Sequence, residues 1–147
     1  MERYFLPYDM SIKLKEKGLN IPFYFFYRTD DVDKQIHHST SIKALEYSNK
    51  IIDDEVVIAP MYQQVFDWIR NEKNIDIEID ASVNRYIFGN KVYIPYISTY
   101  EEFTLDDSPE TIRYRQTKIN PPLVFVHFFK WEDAADEAIK YVIDELI

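Results

Sequence analysis

Three carboxylates recur at every second position in Ile75-Asp76-Ile77-Glu78-Ile79-Asp80. If that segment is a strand, Asp76, Glu78 and Asp80 share one face at a spacing of ~7 Å, a pattern that could hold Mg²⁺ for phosphodiester hydrolysis. A metal-dependent nuclease of the restriction-like type also needs a lysine shortly after one of these acids on the same strand, and none stands there. Strict alternation is equally the signature of a half-buried strand with a solvated face, and that is the expected reading.

The other candidates for chemistry are sparser. His37 and His38 are adjacent, so their side chains point apart and would need a third ligand to hold a metal. His127 lies in an apolar run with no serine or acid placed by sequence to work with it. There is no phosphate loop, dinucleotide fingerprint, nucleophile elbow or HExxH motif, and with two glycines, Gly18 and Gly89, no glycine-rich phosphate cradle can be built. The chain has no cysteine, which excludes disulfides, thiol nucleophiles and cysteine-based metal sites. No catalytic residue and no cofactor is therefore assigned, and a non-enzymatic protein is expected.

Two groups of residues suit a partner surface. Arg113 and Arg115, with Tyr114 between them and Lys118 beyond, form a compact basic cluster of the kind that stacks on bases. Gln63, Gln64, Asp67 and Arg70 form the polar side of an amphipathic segment. An ordinary solvated surface explains the second group equally well and is the favoured reading of the first, given the acidic balance of the chain. The formal net charge of −9 repels a phosphate backbone, so direct nucleic-acid binding is not expected.

These residues must be positioned by one domain of ordinary size, given 147 residues, of which 46% are hydrophobic and 16% aromatic. No apolar run approaches the ~20 residues of a membrane helix. The opening Met1–Pro7 lacks the basic region and apolar core of a signal peptide, so a cytoplasmic protein is the expectation.

Three helices are expected. Pro7–Lys17 carries Leu6, Met10 and Leu14 on one stripe and ends at Gly18; Pro60–Lys73 starts at a proline and has the rows Met61, Val65, Trp68 and Tyr62, Phe66, Ile69. Trp131–Leu146 has Ala135, Ala138 or Ile139, Val142 and Leu146 on its inner face. Strands are expected at Ile21–Arg28, Val56–Ile58, Ile75–Asp80, Tyr86–Phe88, Lys91–Ile97 and Leu123–Phe129. Thr29–Ser41 reads as loop, residues 42–58 as either a short helix at Ile42–Tyr47 or irregular chain, and residues 99–120 as a polar excursion from the sheet. Short connections between strands favour antiparallel pairing, so the fold class is α+β, a mostly antiparallel sheet packed against about three helices.

The segment Ala59-Pro60-Met61-Tyr62-Gln63-Gln64-Val65-Phe66-Asp67-Trp68-Ile69-Arg70, followed by Asn74-Ile75-Asp76-Ile77, resembles an uncharacterised family of small proteins. Its members are encoded by phages, prophages and other mobile elements of gut anaerobic bacteria. Tyr8–Gly18 is similar to that family's opening helix and Trp131–Ile139 to its terminal helix, whereas Phe103–Asn120 is longer than its usual connection. The resemblance implies an accessory gene of a mobile element and carries no catalytic or binding residue. With 12 tyrosines, a side chain favoured in interfaces, the expected function is binding of another protein, from host or phage, and a homo-oligomer fits equally. Two other readings stand behind it. An acidic DNA mimic would present Asp53-Asp54-Glu55, the carboxylates of Ile75–Asp80, Asp106-Asp107 and the acidic last helix as one stripe. A metal-dependent nuclease would use Asp76, Glu78 and Asp80.

Overall fold

The computed structural model describes residues 4–38, 56–83, 91–119 and 128–147. The protein is α+β: its described strands form two three-stranded antiparallel sheets accompanied by three α-helices. Two compact units divide the chain between Trp68 and Ile69, inside one helix.

In the first unit, helix α1 (Tyr8–Glu16) follows Pro7, and the stripe Leu6, Met10, Leu14 is buried as its spacing requires. Its end is a Schellman motif: the Leu19 N–H donates to the Leu14 carbonyl at 2.9 Å and the Gly18 N–H to that of Lys15 at 3.0 Å. Gly18 sits at φ +87°, where a side chain is disfavoured. Strand β1 (Phe25–Arg28) is central, flanked by β2 (Ile36–His38) and β3 (Val56–Ile58), both antiparallel to it. The expected strand over Ile21–Arg28 is thus confined to its second half, and the expected loop Thr29–Ser41 contains a strand. The reversal that allows this is a turn in which Asp31 accepts from the backbone N–H groups of Asp33 and Gln35, with Lys34 left-handed at φ 49°.

Phe5, Tyr27, Val57 and Ala59 form this unit's core, with Tyr8, Ile12, Phe25 and Ile36 packed against it. Leu6 ties the parts together. Its N–H donates to the Pro60 carbonyl at 2.9 Å, and its carbonyl accepts the Tyr27 hydroxyl at 2.6 Å. The two histidines go to opposite faces, as adjacent strand residues must: His37 stacks on Phe26 and His38 lies against Phe25.

Helix α2 (Tyr62–Lys73) begins two residues after Pro60 rather than at it. Met61 caps it, and the Gln64 side chain reaches back to accept the Met61 N–H at 3.0 Å, the second half of a capping box. Tyr62, Val65, Phe66, Trp68 and Ile69 are buried as the two rows predicted, while Met61 is exposed.

In the second unit, β4 (Ile75–Val83), β5 (Lys91–Leu105) and β6 (Ser108–Ile119) form a meander with β5 in the middle. Ile75 pairs with Thr99 and Val83 with Lys91, while Ser98 also pairs with Lys118 and Phe103 with Arg113. Residues 99–119 are therefore not an excursion from the sheet. They are the far half of β5, a turn at Asp106-Asp107, and β6, which among the described residues pairs with β5 alone; polar composition misled because both faces of this ribbon are solvated. Tyr93 of β5 also exchanges backbone N–H···O bonds of 2.8 and 3.3 Å with Phe128.

Helix α3 (Trp131–Tyr141) continues as a π-helical turn, Val142–Leu146. Ala134, Ala135, Ala138, Ile139, Val142 and Ile143 are buried, and α3 packs on β4 and β5, which bury Ile75, Ile77, Pro95 and Ile97. The expected elements at Ile42–Tyr47, Tyr86–Phe88 with Gly89-Asn90, and Leu123–His127, and the acidic run Asp53-Asp54-Glu55, lie outside the described residues.

Two outcomes test this account. No atom lies within 4 Å of a Cβ built on Gly18, so Gly18→Ala carries only the backbone penalty. Denaturant unfolding should show a loss of about 1–2 kcal/mol with the slope unchanged. The second concerns acid. The His37 ring hydrogen-bonded to Asp31 at 3.2 Å, helped by the two turn N–H groups, holds the Asp31 carboxyl below its usual 3.8. A depressed folded value adds stability that is complete above the unfolded value and lost as pH falls through the folded one. In a carbon-detected titration Asp31 should have its midpoint below 3.8, and His37→Phe, which keeps the stack on Phe26, should raise it towards 3.8.

Candidate functional site

β4 alternates as its sequence requires. Ile75 and Ile77 are buried, Glu78 and Asp80 are exposed, and the register puts Asp76 opposite Ser98 and Glu78 opposite Tyr96. The polar face of this sheet holds a trough of about 440 Å³ lined by Glu78, Ile79 and Asp80 from β4, Tyr96 and Ser98 from β5, and Gln116 and Lys118 from β6.

Asp76, the first of the three carboxylates, does not join them. Asn74 turns the chain from α2 into β4 in a left-handed conformation at φ 54°, with its carbonyl accepting the Tyr100 N–H at 2.9 Å. This tight reversal brings Arg70, in the last turn of α2, over Asp76. The Arg70 Nε and Nη2 both lie on Asp76 Oδ1, at 2.7 and 2.6 Å. Asp76 is 9% exposed, so its charge needs that partner. Among the described residues no three His, Cys, Asp or Glu side chains converge so as to hold a metal ion.

The floor of the trough is a polar pair. Ser98 is 6% exposed and its hydroxyl accepts from Gln116 Nε2 at 3.1 Å. Glu78, Asp80 and Lys118 stand at the exposed rim. β4 and β6 are separated by β5, so their backbones lie roughly 9–10 Å apart. The carboxylates therefore occupy one side of the trough and the ammonium the other.

The remaining residues singled out from sequence fall elsewhere. Gln64 is committed to the α2 cap and to the Pro22 carbonyl, which accepts its Nε2 at 3.3 Å. Gln63 donates to Asp67 at 3.0 Å on the exposed side of α2. Arg113 and Arg115 share one face of β6 and Tyr114 takes the other, so the linear basic–aromatic cluster is split by the pleat. The Arg115 guanidinium lies 5.1 Å from the centroid of the Phe103 ring, and Tyr114 is 62% exposed. Sequence reasoning missed Tyr96, Ser98 and Gln116 as site residues. They become visible only through the β5–β6 register, since nothing in their own types marks them.

Comparisons with protein-family models, with curated proteins and with solved structures each give no match. Function must be argued from the geometry above.

The Arg70–Asp76 pair supplies a direct check. Arg70→Met leaves a nearly buried carboxylate without its cation and should cost about 1–3 kcal/mol in urea unfolding. Adding Asp76→Asn should recover part of that loss, because the orphaned charge is gone; a double variant less stable than Arg70→Met would show that the ion pair is not the origin.

Proposed function

We propose that the chain is a non-enzymatic protein-binding module, an accessory protein of a phage or mobile element that works in the cytoplasm. The observation that carries this reading is the far half of the β5–β6 hairpin. Every side chain from Pro109 to Lys118 is exposed, as are Glu101, Glu102, Thr104 and Leu105 across from it. A two-stranded ribbon wet on both faces has almost no core of its own, and such hairpins are marginal in water. This one also presents Ile112, 58% exposed, beside Tyr114, and β6 is an edge strand with no further strand paired to it among the described residues. Edge backbone, an aliphatic and an aromatic side chain are the elements that strand-addition interfaces use. The mobile-element setting rests on the sequence resemblance alone.

No observation favours the two other readings. The carboxylates of the sheet stand beside cations: Asp76 on Arg70, Glu78 and Asp80 across a trough from Lys118, and Glu101 in register with Arg115. A mimic of nucleic acid needs an unbroken negative stripe. A nuclease of the expected design needs Asp76 available for metal.

The test is affinity capture of the tagged chain from its host at low and moderate salt, in parallel with an Ile112→Ser/Tyr114→Ser variant. One stoichiometric protein should be captured, and the variant should lose it by at least about tenfold while keeping its unfolding midpoint. A partner retained by the variant, or an empty capture, would overturn the assignment; a partner lost at moderate salt would move it towards the acidic mimic.

A further inference from the structure

We propose that the trough on the polar face of the second sheet binds a short zwitterion. The ligand class is a dipeptide or an ω-amino acid, with its ammonium against Glu78 and Asp80 and its carboxylate against Lys118. The inference is independent of the docking arm and starts from which groups are already committed. Asp76 is neutralised by Arg70, and the Ser98 hydroxyl accepts from Gln116. Among the described residues, nothing ion-pairs with or hydrogen-bonds the side chains of Glu78, Asp80, Tyr96 or Lys118, although all four line one cavity. The two acids and the ammonium do not pair with each other. The width of β5 stands between them.

The charge pattern then selects the ligand. A simple anion reaching Lys118 would also meet the field of two carboxylates, and a simple cation reaching those carboxylates would share the cavity with an ammonium that has no partner among the described residues. A ligand with both charges pairs with both walls. Lys118 is in register with Ser98, whereas Glu78 pairs with Tyr96 and Asp80 with Ile94, so the lysine is offset along the sheet as well as two strands across. The backbone separations are then roughly 12 Å to Glu78 and roughly 17 Å to Asp80, which, less the reach of the side chains and one ion-pair contact at each end, leave several ångströms between the ligand's charges. An α-amino acid, whose charged groups are adjacent, spans less of that gap than a dipeptide or an ω-amino acid. Tyr96, between the walls, offers its ring to the ligand's central atoms and its hydroxyl as a donor. Gln116 keeps a second amide hydrogen, and the Ser98 hydroxyl keeps its own, so a peptide carbonyl would find donors at the floor. The volume, about 440 Å³, lies within the range of small-molecule sites.

The test is a heteronuclear NMR titration of the full chain with glycylglycine and with 6-aminohexanoate, against butylamine and butyrate as singly charged controls. Saturable shifts should be confined to amides of Glu78–Asp80, Tyr96–Ser98 and Gln116–Lys118, with the zwitterions binding at least about tenfold more tightly than either control. Lys118→Met should reduce the zwitterions to the level of butylamine, and Glu78→Gln with Asp80→Asn to that of butyrate. These residues are exposed, so the variants should keep the wild-type unfolding midpoint, while Ile112→Ser/Tyr114→Ser should leave the titration unchanged. Absence of saturable shifts, or equal affinity for all four compounds, would overturn the proposal.

Discussion

A strand sends alternate side chains to opposite faces, and β5 is hydrogen-bonded along both edges. Together these constraints determine most of what the second unit can do. With Ile97 and Pro95 committed to the apolar side under α3, Tyr96 between them and Ser98 beyond have no choice but the opposite face. The register with β4 and β6 then dictates which side chains flank them. Shifting β4 by one residue would turn Ile75 and Ile77 to solvent and bury Glu78, so the apolar face fixes that register and the register composes one wall of the polar trough. Ser98 meets Gln116 as a by-product of where Ile97 must go.

Legibility in the sequence followed how much of the signal was local. The α1 stripe, the Gly18 stop, the two rows of α2, the alternation of Ile75–Asp80 and the inner face of α3 depend on periodicity within one element, and each was readable. β2 was not, because Ile36-His37-His38 is too short and too polar to stand out; it is a strand because the Asp31 turn folds it back onto β1. The far half of the hairpin was hidden for a related reason. Glu101 to Lys118 buries almost nothing, so neither face carries the apolar alternation by which a strand is recognised, and only its pairing reveals it. Of the site residues, Glu78, Asp80 and Lys118 drew attention by type, and Tyr96, Ser98 and Gln116 by nothing short of the register.

Asp76 illustrates why a linear motif misleads about chemistry. By spacing it belongs with Glu78 and Asp80, and three carboxylates on one face suggest an ion. The left-handed Asn74 shortens the path from α2 to β4 until Arg70 overlies Asp76. A guanidinium already on site, with two nitrogens on one carboxylate oxygen, removes the first acid from any shared task. What remains around the trough, among the described residues, is a pair of acids and, two strands across and offset along the sheet, a lysine. That arrangement has the symmetry of a dipole and suits a dipolar ligand better than a point charge.

The exposed arm raises an opposite problem, since an edge that is unpaired among the described residues, with Ile112 and Tyr114 on it, invites association with any available strand, a second copy of this chain included. Charge placement limits that outcome. Arg113 and Arg115 flank Tyr114 along the edge, so two β6 strands aligned about this point would bring arginines against arginines, and like charges placed opposite one another destabilise a pairing. The rest of the chain, at a net −9, adds long-range repulsion between copies while leaving this strip locally basic. An acidic or neutral partner strand meets neither obstacle. The same residues that disfavour pairing of the ribbon with itself leave it better matched to an acidic or neutral strand.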